Sequence, residues 1–201
     1  MNPKAKTWLV WMAAAAVVGA AFLYRQRKDA EAEARREAKR AAVVNTVRAL
    51  ADRHGADSRW IYELVKGHKD FIRISDVRTI ELERLWVTPR PIVFTGWVAD
   101  IASGGWGGRP VVTVKYDEEL NPRYAIMTRL LLRLEVRDAA RLVELERLAA
   151  DEDFQFFGSV AFVAQIDRVE SAAWPVEDGE YETAMVGVGT LVDFSVMRDV
   201  R

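Results

Sequence analysis

The sequence predicts an α+β fold that is mainly β, preceded at the N-terminus by an apolar helix and a charged helical stalk. Residues 7–24 carry no charge and are mostly apolar. Residues 25–54 contain no glycine or proline and are rich in the helix formers Ala, Glu, Arg and Lys. From residue 92 onward, runs of β-branched and other apolar residues alternate with turn residues, which is typical of strands. These observations divide the chain into a helical N-terminal part and a β-rich domain.

The apolar segment is long enough to cross a bilayer. Residues 7–24 span about 27 Å as a helix, close to the thickness of the hydrocarbon core. Aromatic rings that favour the membrane interface lie at both ends: Trp8, Trp11 and Tyr24. Three basic residues that can contact lipid phosphates follow the apolar segment: Arg25, Arg27 and Lys28. A buried core helix and a cleaved signal peptide are the alternatives. The basic flanks on both sides favour a retained transmembrane helix after a short tail of residues 1–6.

Small residues recur at a four-residue spacing on one side of this helix, Ala15 with Gly19 and Ala16 with Ala20. Such pairs let two helix backbones approach closely in lipid. An alanine-rich helix contains such pairs by chance, and we favour that explanation over a dedicated surface for a partner helix in the membrane.

The basic residues on the two sides of the helix indicate which side of the membrane the domain occupies. Lys4 and Lys6 precede the helix, whereas seven Lys and Arg residues lie in 25–42. The positive-inside rule therefore favours a cytoplasmic C-terminal domain over a periplasmic one. Export remains the alternative, because long domains can translocate regardless of their charge.

Charge is distributed unevenly along the chain. Residues 1–42 carry a net charge of +5, which leaves −6 for residues 43–201 because the whole chain is at −1. An acidic domain is a poor candidate for nucleic-acid binding, which usually needs a basic face. The chain contains no cysteine, which excludes disulfides, thiolate metal sites and cysteine nucleophiles.

Residues 25–54 predict a charged helical stalk that ends at Gly55. Its last turns carry an apolar stripe at helical spacing: Val43, Val44, Val47, Leu50 and Ala51. We expect this stripe to dock on the domain that follows.

Residues 55–91 predict further elements that pack on that domain. Asp57 can cap a short helix. Residues 71–75 and 79–87 alternate polar and apolar side chains, which predicts two strands. A proline-rich segment ends this run, because proline cannot donate to a strand ladder.

The rest of the chain, residues 92–201, predicts a barrel. The elements are, in order, strands over residues 92–101, 111–116 and 127–136, a helix capped by Asp138, and strands over 154–169 and 185–197. This is the element order of an OB-fold, a five-stranded Greek-key barrel with its helix between strands three and four. An open α+β sheet with helices on one face is the main rival. We predict the OB-like barrel.

Four stretches in this part resemble a known family. They are FTGWVADI, VVTVKY, the helical AARLVELERLAA and FFGSVAFVAQI. Together they are similar to the OB-like "tRNA_anti-like" family of bacterial envelope and membrane-anchored proteins, over about residues 92–197. The resemblance implies an OB-like barrel and a bacterial membrane setting. It carries no binding residues onto this chain, and the connections at 117–128 and 171–184 are longer than the family pattern.

A glycine-rich turn over residues 103–110 joins the first two barrel strands and contains the predicted binding residues, Trp106 and Arg109. In OB barrels this loop is one of those that contact ligands. A tryptophan beside a guanidinium suits contact with a protein, a sugar or a base. The alternative is that Trp106 folds back over the end of the barrel.

Motifs for catalysis or metal binding are missing from the sequence. His54 and His68 are the two histidines, and without cysteine or an HExxH spacing we interpret both as surface residues. The acidic residues between 167 and 182 are interpreted as a solvated loop. No nucleophile is paired with a base. We therefore predict no catalytic residue, no metal and no cofactor.

The sequence thus predicts a non-enzymatic, single-pass protein of the bacterial inner membrane whose OB-like domain binds another protein as an accessory or assembly factor. Its expected partners are the lipid bilayer and a protein, which could itself lie in the membrane. The alternative is a tethered OB domain that binds nucleic acid or an anionic ligand. A hydrolase or transferase with carboxylate chemistry has the least support.

Overall fold

The structure, a computed structural model, describes residues 3–65, 79–103, 108–116, 129–175 and 181–198, with side-chain surroundings from residue 22 onward. The chain divides into two units, Met1–Ala41 and Ala42–Arg201. The helices are α1 (Pro3–His54), α2 (Trp60–Val65), α3 (Thr79–Trp86), α4 (Ala139–Ala150) and α5 (Glu152–Phe157). The strands are β1 (Ile92–Ala102), β2 (Val111–Tyr116), β3 (Arg129–Glu135), β4 (Ser159–Pro175) and β5 (Tyr181–Met197).

The first unit consists of the N-terminal part of α1. From Phe22 to Ala41 its side chains are exposed, and an Arg27–Glu31 ion pair of 3.1 Å joins two successive turns. Within the described part of the chain, no helix is both long enough and apolar enough to cross a membrane.

Most of the predicted membrane residues lie outside those whose side chains the structure describes: Trp8, Trp11, Ala15, Ala16, Gly19 and Ala20. The transmembrane span over 7–24 and its helix-packing pairs therefore stay predictions. The four described interface residues, Tyr24, Arg25, Arg27 and Lys28, are exposed side chains of α1.

The second unit contains a five-stranded sheet that closes on itself. Its strand order is β1-β2-β3-β5-β4, and β4 pairs back with β1. The β3–β5 pairing is parallel, and the other four pairings are antiparallel. The predicted α+β class, mainly β in the C-terminal part, is confirmed. The order of three strands, a helix and two strands after residue 92 is also confirmed, with α5 as an addition.

The predicted strand over 79–87 is wrong, because residues 79–86 form the helix α3. The polar and apolar alternation there covers few residues, and burial follows a helical spacing instead. Leu82 and Trp86, four residues apart, are fully buried, whereas Ile80 is 69% exposed. The other strand predicted before the barrel, over 71–75, lies outside the described residues.

The predicted strand over 154–169 begins five residues too early. Residues 152–157 form α5, and the Asp151 side chain caps it by accepting a hydrogen bond of 3.0 Å from the Phe154 N–H. The Phe154 ring lies so close to Gly158 that a Cβ there would be 2.2 Å from it. A local cap and this close contact explain why the strand starts only at Ser159.

The interior of the closed sheet is filled by aromatic rings. Trp60 of α2 and Trp86 of α3 pack against Phe94 and Tyr116, with ring centroids 5.2 to 5.9 Å apart. The Trp86 ring also lies against Gly187 of β5, where a Cβ would be 2.9 Å from it. Small barrels are packed cores rather than open channels. A ligand of this domain is therefore expected on its outer surface.

The two buried indoles differ in their hydrogen bonding. Trp60 donates from Nε1 to the Val93 carbonyl at 2.7 Å. Among the described residues, the buried Nε1–H of Trp86 has no acceptor. An unpaired buried donor costs about 1–3 kcal/mol, which the apolar burial of a complete indole ring offsets.

The helix between β3 and β4 follows its local signals. Asp138 caps α4 as predicted, accepting from the Ala140 N–H at 2.9 Å. Leu145 and Leu148, one helical turn apart, are buried in the same core as the aromatic rings, and α4 contacts β1. This helix therefore covers part of the packed interior.

The C-terminal end of α1 is set by Gly55, as predicted. Gly55 has φ +60°, and the Ala56 N–H donates to the Ala51 carbonyl at 2.9 Å. This is the Schellman arrangement, in which a glycine in the left-handed region ends the helix and the next N–H satisfies a carbonyl of its last turn. It turns the chain sharply from α1 toward the sheet.

We expect Gly55→Ala to lower the free energy of unfolding by about 1 kcal/mol, because an L side chain disfavours the left-handed region. No atom lies within 4 Å of the new Cβ, so the cost comes from the backbone alone. Gly55→Asn is the matched control, and its free energy of unfolding should fall by less, since asparagine tolerates this conformation. Urea denaturation of both variants measures the difference. A Gly55→Ala variant as stable as the parent would contradict the assigned helix end.

Candidate functional site

A groove of about 930 Å³ lies on the outside of the closed sheet. It is lined by α1 between Val43 and Asp52, by residues 56–61, by residues 88–90, and by Val93, Thr95 and Tyr116 of the sheet. All of these belong to the second unit. The volume is within the range of about 300–1,000 Å³ that is usual for ligand sites.

The apolar part of the groove continues from the core. Val43, Leu50 and Ala51 of α1 are buried against residues of β1, β4 and β5, so the predicted docking of this stripe is confirmed. Val47 is partly buried beside them. Val44 differs, since it is 52% exposed and lines the groove. The stripe therefore holds α1 on the sheet and also leaves an aliphatic surface open to solvent.

Backbone hydrogen bonds position the segment that lines the groove next to α1. The Asp57 N–H donates to the Pro91 carbonyl, and the Val93 N–H donates to the Asp57 carbonyl, both at 2.8 Å. This pairs Asp57 with the start of β1 as a short parallel bridge. The Asp57 carboxylate accepts from the Arg59 N–H at 2.7 Å just ahead of α2. The predicted capping residue thus orders the turn before the helix.

Three exposed arginines come to the groove from different segments: Arg48 of α1, Arg59 and Arg90. Among the described residues, none of their guanidinium groups has a carboxylate partner within ion-pair distance. Two carboxylates, Asp52 and Asp57, also line the groove. The site therefore combines available cations, fewer anions and an aliphatic surface.

Arginines elsewhere on the domain are mostly engaged in pairs. Arg133 and Arg168 both contact Glu170, at 3.3 and 3.4 Å. Arg137 contacts Glu135 at 3.3 Å. These pairs occupy their guanidinium groups with acids of the same domain, unlike the groove arginines.

The predicted loop site is only partly described. Trp106 lies outside the described residues. Arg109 is exposed and donates to the carboxylate of Glu135, which raises the pKa of Arg109 and lowers that of Glu135. Arg109 is therefore held by β3 rather than free beside the loop. Its role in binding stays a prediction.

A cluster around Asp193 joins α1 and α4 to β5. The Asp193 carboxylate contacts His54 Nε2 at 2.7 Å, Arg141 at 3.2 Å and Arg53 at 3.7 Å. Its side chain is only 18% exposed. Burial alone would raise the pKa of Asp193, but hydrogen bonds from His54 and the Phe194 N–H, with the charge of Arg141, lower it overall. The predicted surface histidine, His54, thus has a structural contact.

A β-bulge in β5 lies directly beside Asp193. Val163 pairs with Asp193 and Ala164 with Leu191, which leaves Val192 as the extra residue of β5. The Val192 carbonyl accepts a hydrogen bond from the Arg141 guanidinium. Arg141 therefore binds both the backbone and the side chain of β5, and fixes α4 near the end of α1.

Sequence reasoning missed both the groove and the Asp193 cluster. A usable signal for the groove was the polar pair Arg48 and Asp52 inside an otherwise apolar stripe. His54 gave no signal, because its partner lies 139 residues away. Within the described residues, no group of three or more acidic or histidine side chains could hold a metal ion.

In comparisons with known proteins, no family model, curated protein or solved structure matches this chain.

We expect Asp193→Asn to lower the free energy of unfolding by about 1–3 kcal/mol at pH 7, because charge-assisted hydrogen bonds at a mostly buried carboxylate are lost. The pKa of Asp193 is lower in the folded state than in the unfolded state, where it is about 3.9. Its carboxylate therefore contributes its full stabilisation above about pH 3.9, and this contribution is lost as the pH falls through the pKa of the folded state. The difference between parent and variant should therefore shrink below about pH 3.9.

Denaturation curves at neutral and acidic pH measure this effect. Asp167→Asn is the matched control, since Asp167 is exposed and forms no ion pair among the described residues. If both variants change stability equally, the Asp193 cluster does not hold α1.

Proposed function

We propose that the chain is a non-enzymatic, single-pass membrane-anchored module whose OB-like domain binds another protein, as an accessory or assembly factor at the bacterial inner membrane. In this proposal the domain lies on the cytoplasmic side. The observation that carries it is the groove beside α1, which combines an exposed aliphatic side chain with three arginines whose guanidinium groups have no carboxylate partner among the described residues.

The OB-like assignment is supported by the strand order. A Greek-key barrel of this class places its helix between strands three and four, as α4 is placed here. The parallel β3–β5 pairing and the return of β4 to β1 suit that topology. The resemblance to the "tRNA_anti-like" family remains part of this proposal and depends on the same pattern.

Anchoring in a bilayer is supported by the exposed end of the apolar segment. Phe22, Leu23 and Tyr24 are 61%, 66% and 63% exposed. Three adjacent apolar or aromatic side chains in water leave surface that lipid would cover. Lys28 Nζ lies 5.5 Å from the centre of the Tyr24 ring, an arrangement that suits the membrane interface.

Protein binding is favoured over the alternative of a nucleic-acid or anionic ligand. Residues 43–201 carry a net charge of −6, which opposes a polyanion. The predicted contact Arg109 is engaged by Glu135. Protein interfaces combine apolar contacts with charged groups, and the lining of the groove contains both.

The proposal is tested by purifying the tagged full-length protein in mild detergent and identifying what accompanies it by mass spectrometry. We expect a defined set of membrane proteins in stoichiometric amounts. A shortened chain lacking residues 1–42 should lose them if the membrane helix is part of the assembly. The anchor is tested in parallel by flotation of the full-length protein with lipid vesicles.

Two results would contradict the proposal. One is that no protein co-purifies in stoichiometric amount with the full-length chain. The other is that nucleic acid or a small anionic molecule accompanies the domain instead, which would favour the alternative function.

A further inference from the structure

The aliphatic surface of the groove lacks a cover within the described structure. Val44 is 52% exposed, although Val43 and Ala51 on the same stretch of α1 are 8% and 6% exposed. A valine on the outside of a helix that is otherwise docked by its apolar stripe leaves contact area for another molecule.

The charges of the groove select the kind of molecule that fits. Arg48, Arg59 and Arg90 line it and come from three separate segments of the chain. Charge complementarity at the rim of an interface gives specificity and speeds association. A binding partner therefore needs carboxylates at its edges and apolar side chains between them.

We infer that the groove binds an acidic amphipathic segment of a partner protein, with its apolar side chains on Val44 and Val47 and its carboxylates on the three arginines. This inference rests on the proposed protein-binding function and specifies the site and the chemistry of the partner. Such segments are recognised by laying an apolar face into a groove.

Features of the same groove oppose a nucleic acid. Single-stranded nucleic acids bind by stacking bases on exposed aromatic rings. The two rings that line this groove, Trp60 and Tyr116, are both 2% exposed and offer no such platform.

The test uses site-specific photo-crosslinking in the full-length protein in its native membranes. A photoreactive amino acid replaces Val44 in the groove or, as a control, Val143, which is 64% exposed on α4. We expect position 44 to crosslink a protein, and mass spectrometry to map the crosslink to a segment that is acidic and amphipathic. Position 143 should not capture that segment.

Charge reversal supplies the matched variants. Arg48→Glu, Arg59→Glu and Arg90→Glu together should reduce the crosslink at position 44 by about ten-fold, since three attractive contacts become repulsive. Arg36→Glu, Arg84→Glu and Arg147→Glu together change the net charge equally at exposed positions outside the groove. They should change the yield by less than about two-fold.

The outcomes separate this inference from the proposed function. A basic or neutral segment, a nucleic acid, or no product at position 44 would overturn the groove assignment. If stoichiometric protein partners still co-purify in that case, the proposed function stands and only the site is wrong. If no protein accompanies the full-length chain at all, the proposed function fails, and this inference with it.

Discussion

The pairing of β4 with β1 gives every strand of the sheet a neighbour on both sides, and it constrains the rest of the domain. A closed sheet of five strands encloses little volume, so its interior has to be filled by side chains. Here the interior receives two tryptophans from helices that precede the sheet in the chain, Trp60 and Trp86. The Trp86 N–H has no acceptor among the described residues, and its cost is offset because a smaller apolar group would leave part of this space empty.

A filled interior directs binding to the outer surface. The groove is lined there by the last turns of α1, by the segment that follows it and by residues of the sheet. Gly55 turns the chain, and the bridge between Asp57 and the start of β1 holds the following segment beside the helix. The Asp193 cluster also holds the last residues of α1, because Asp193 contacts His54 and Arg53. Helix end, bridge and cluster together set the distance between the segments that line the groove.

The distribution of charge gives the groove its chemistry. On β3 and β4, acids and arginines of the domain neutralise one another in pairs such as Arg133 with Glu170. Exposed pairs of this kind contribute little to stability, about 0–1 kcal/mol each, but they leave no charge available for a partner. Within the part of the chain that the structure describes, the guanidinium groups of the groove arginines have no carboxylate partner. An acidic domain therefore presents a local basic surface at the place where aliphatic side chains are also exposed.

Local signals in the sequence determined several elements by themselves. The stop of α1 at Gly55, the Asp138 cap of α4 and the order of elements after residue 92 depend on residues a few positions apart, so they can be recognised without the fold. The same reasoning failed over 79–86, where four alternating residues suit a strand and a helix equally well. The helix forms there because it buries Trp86 inside the sheet.

Only the tertiary structure decided the contact of His54 with Asp193 and the groove. Each of these brings together residues that are far apart in the chain, from Val43 to Tyr116 in the groove and across 139 positions in the cluster. No periodicity or cap encodes such distances. They follow from how the packed interior places its strands and helices, which is a property of the whole domain and not of any one segment.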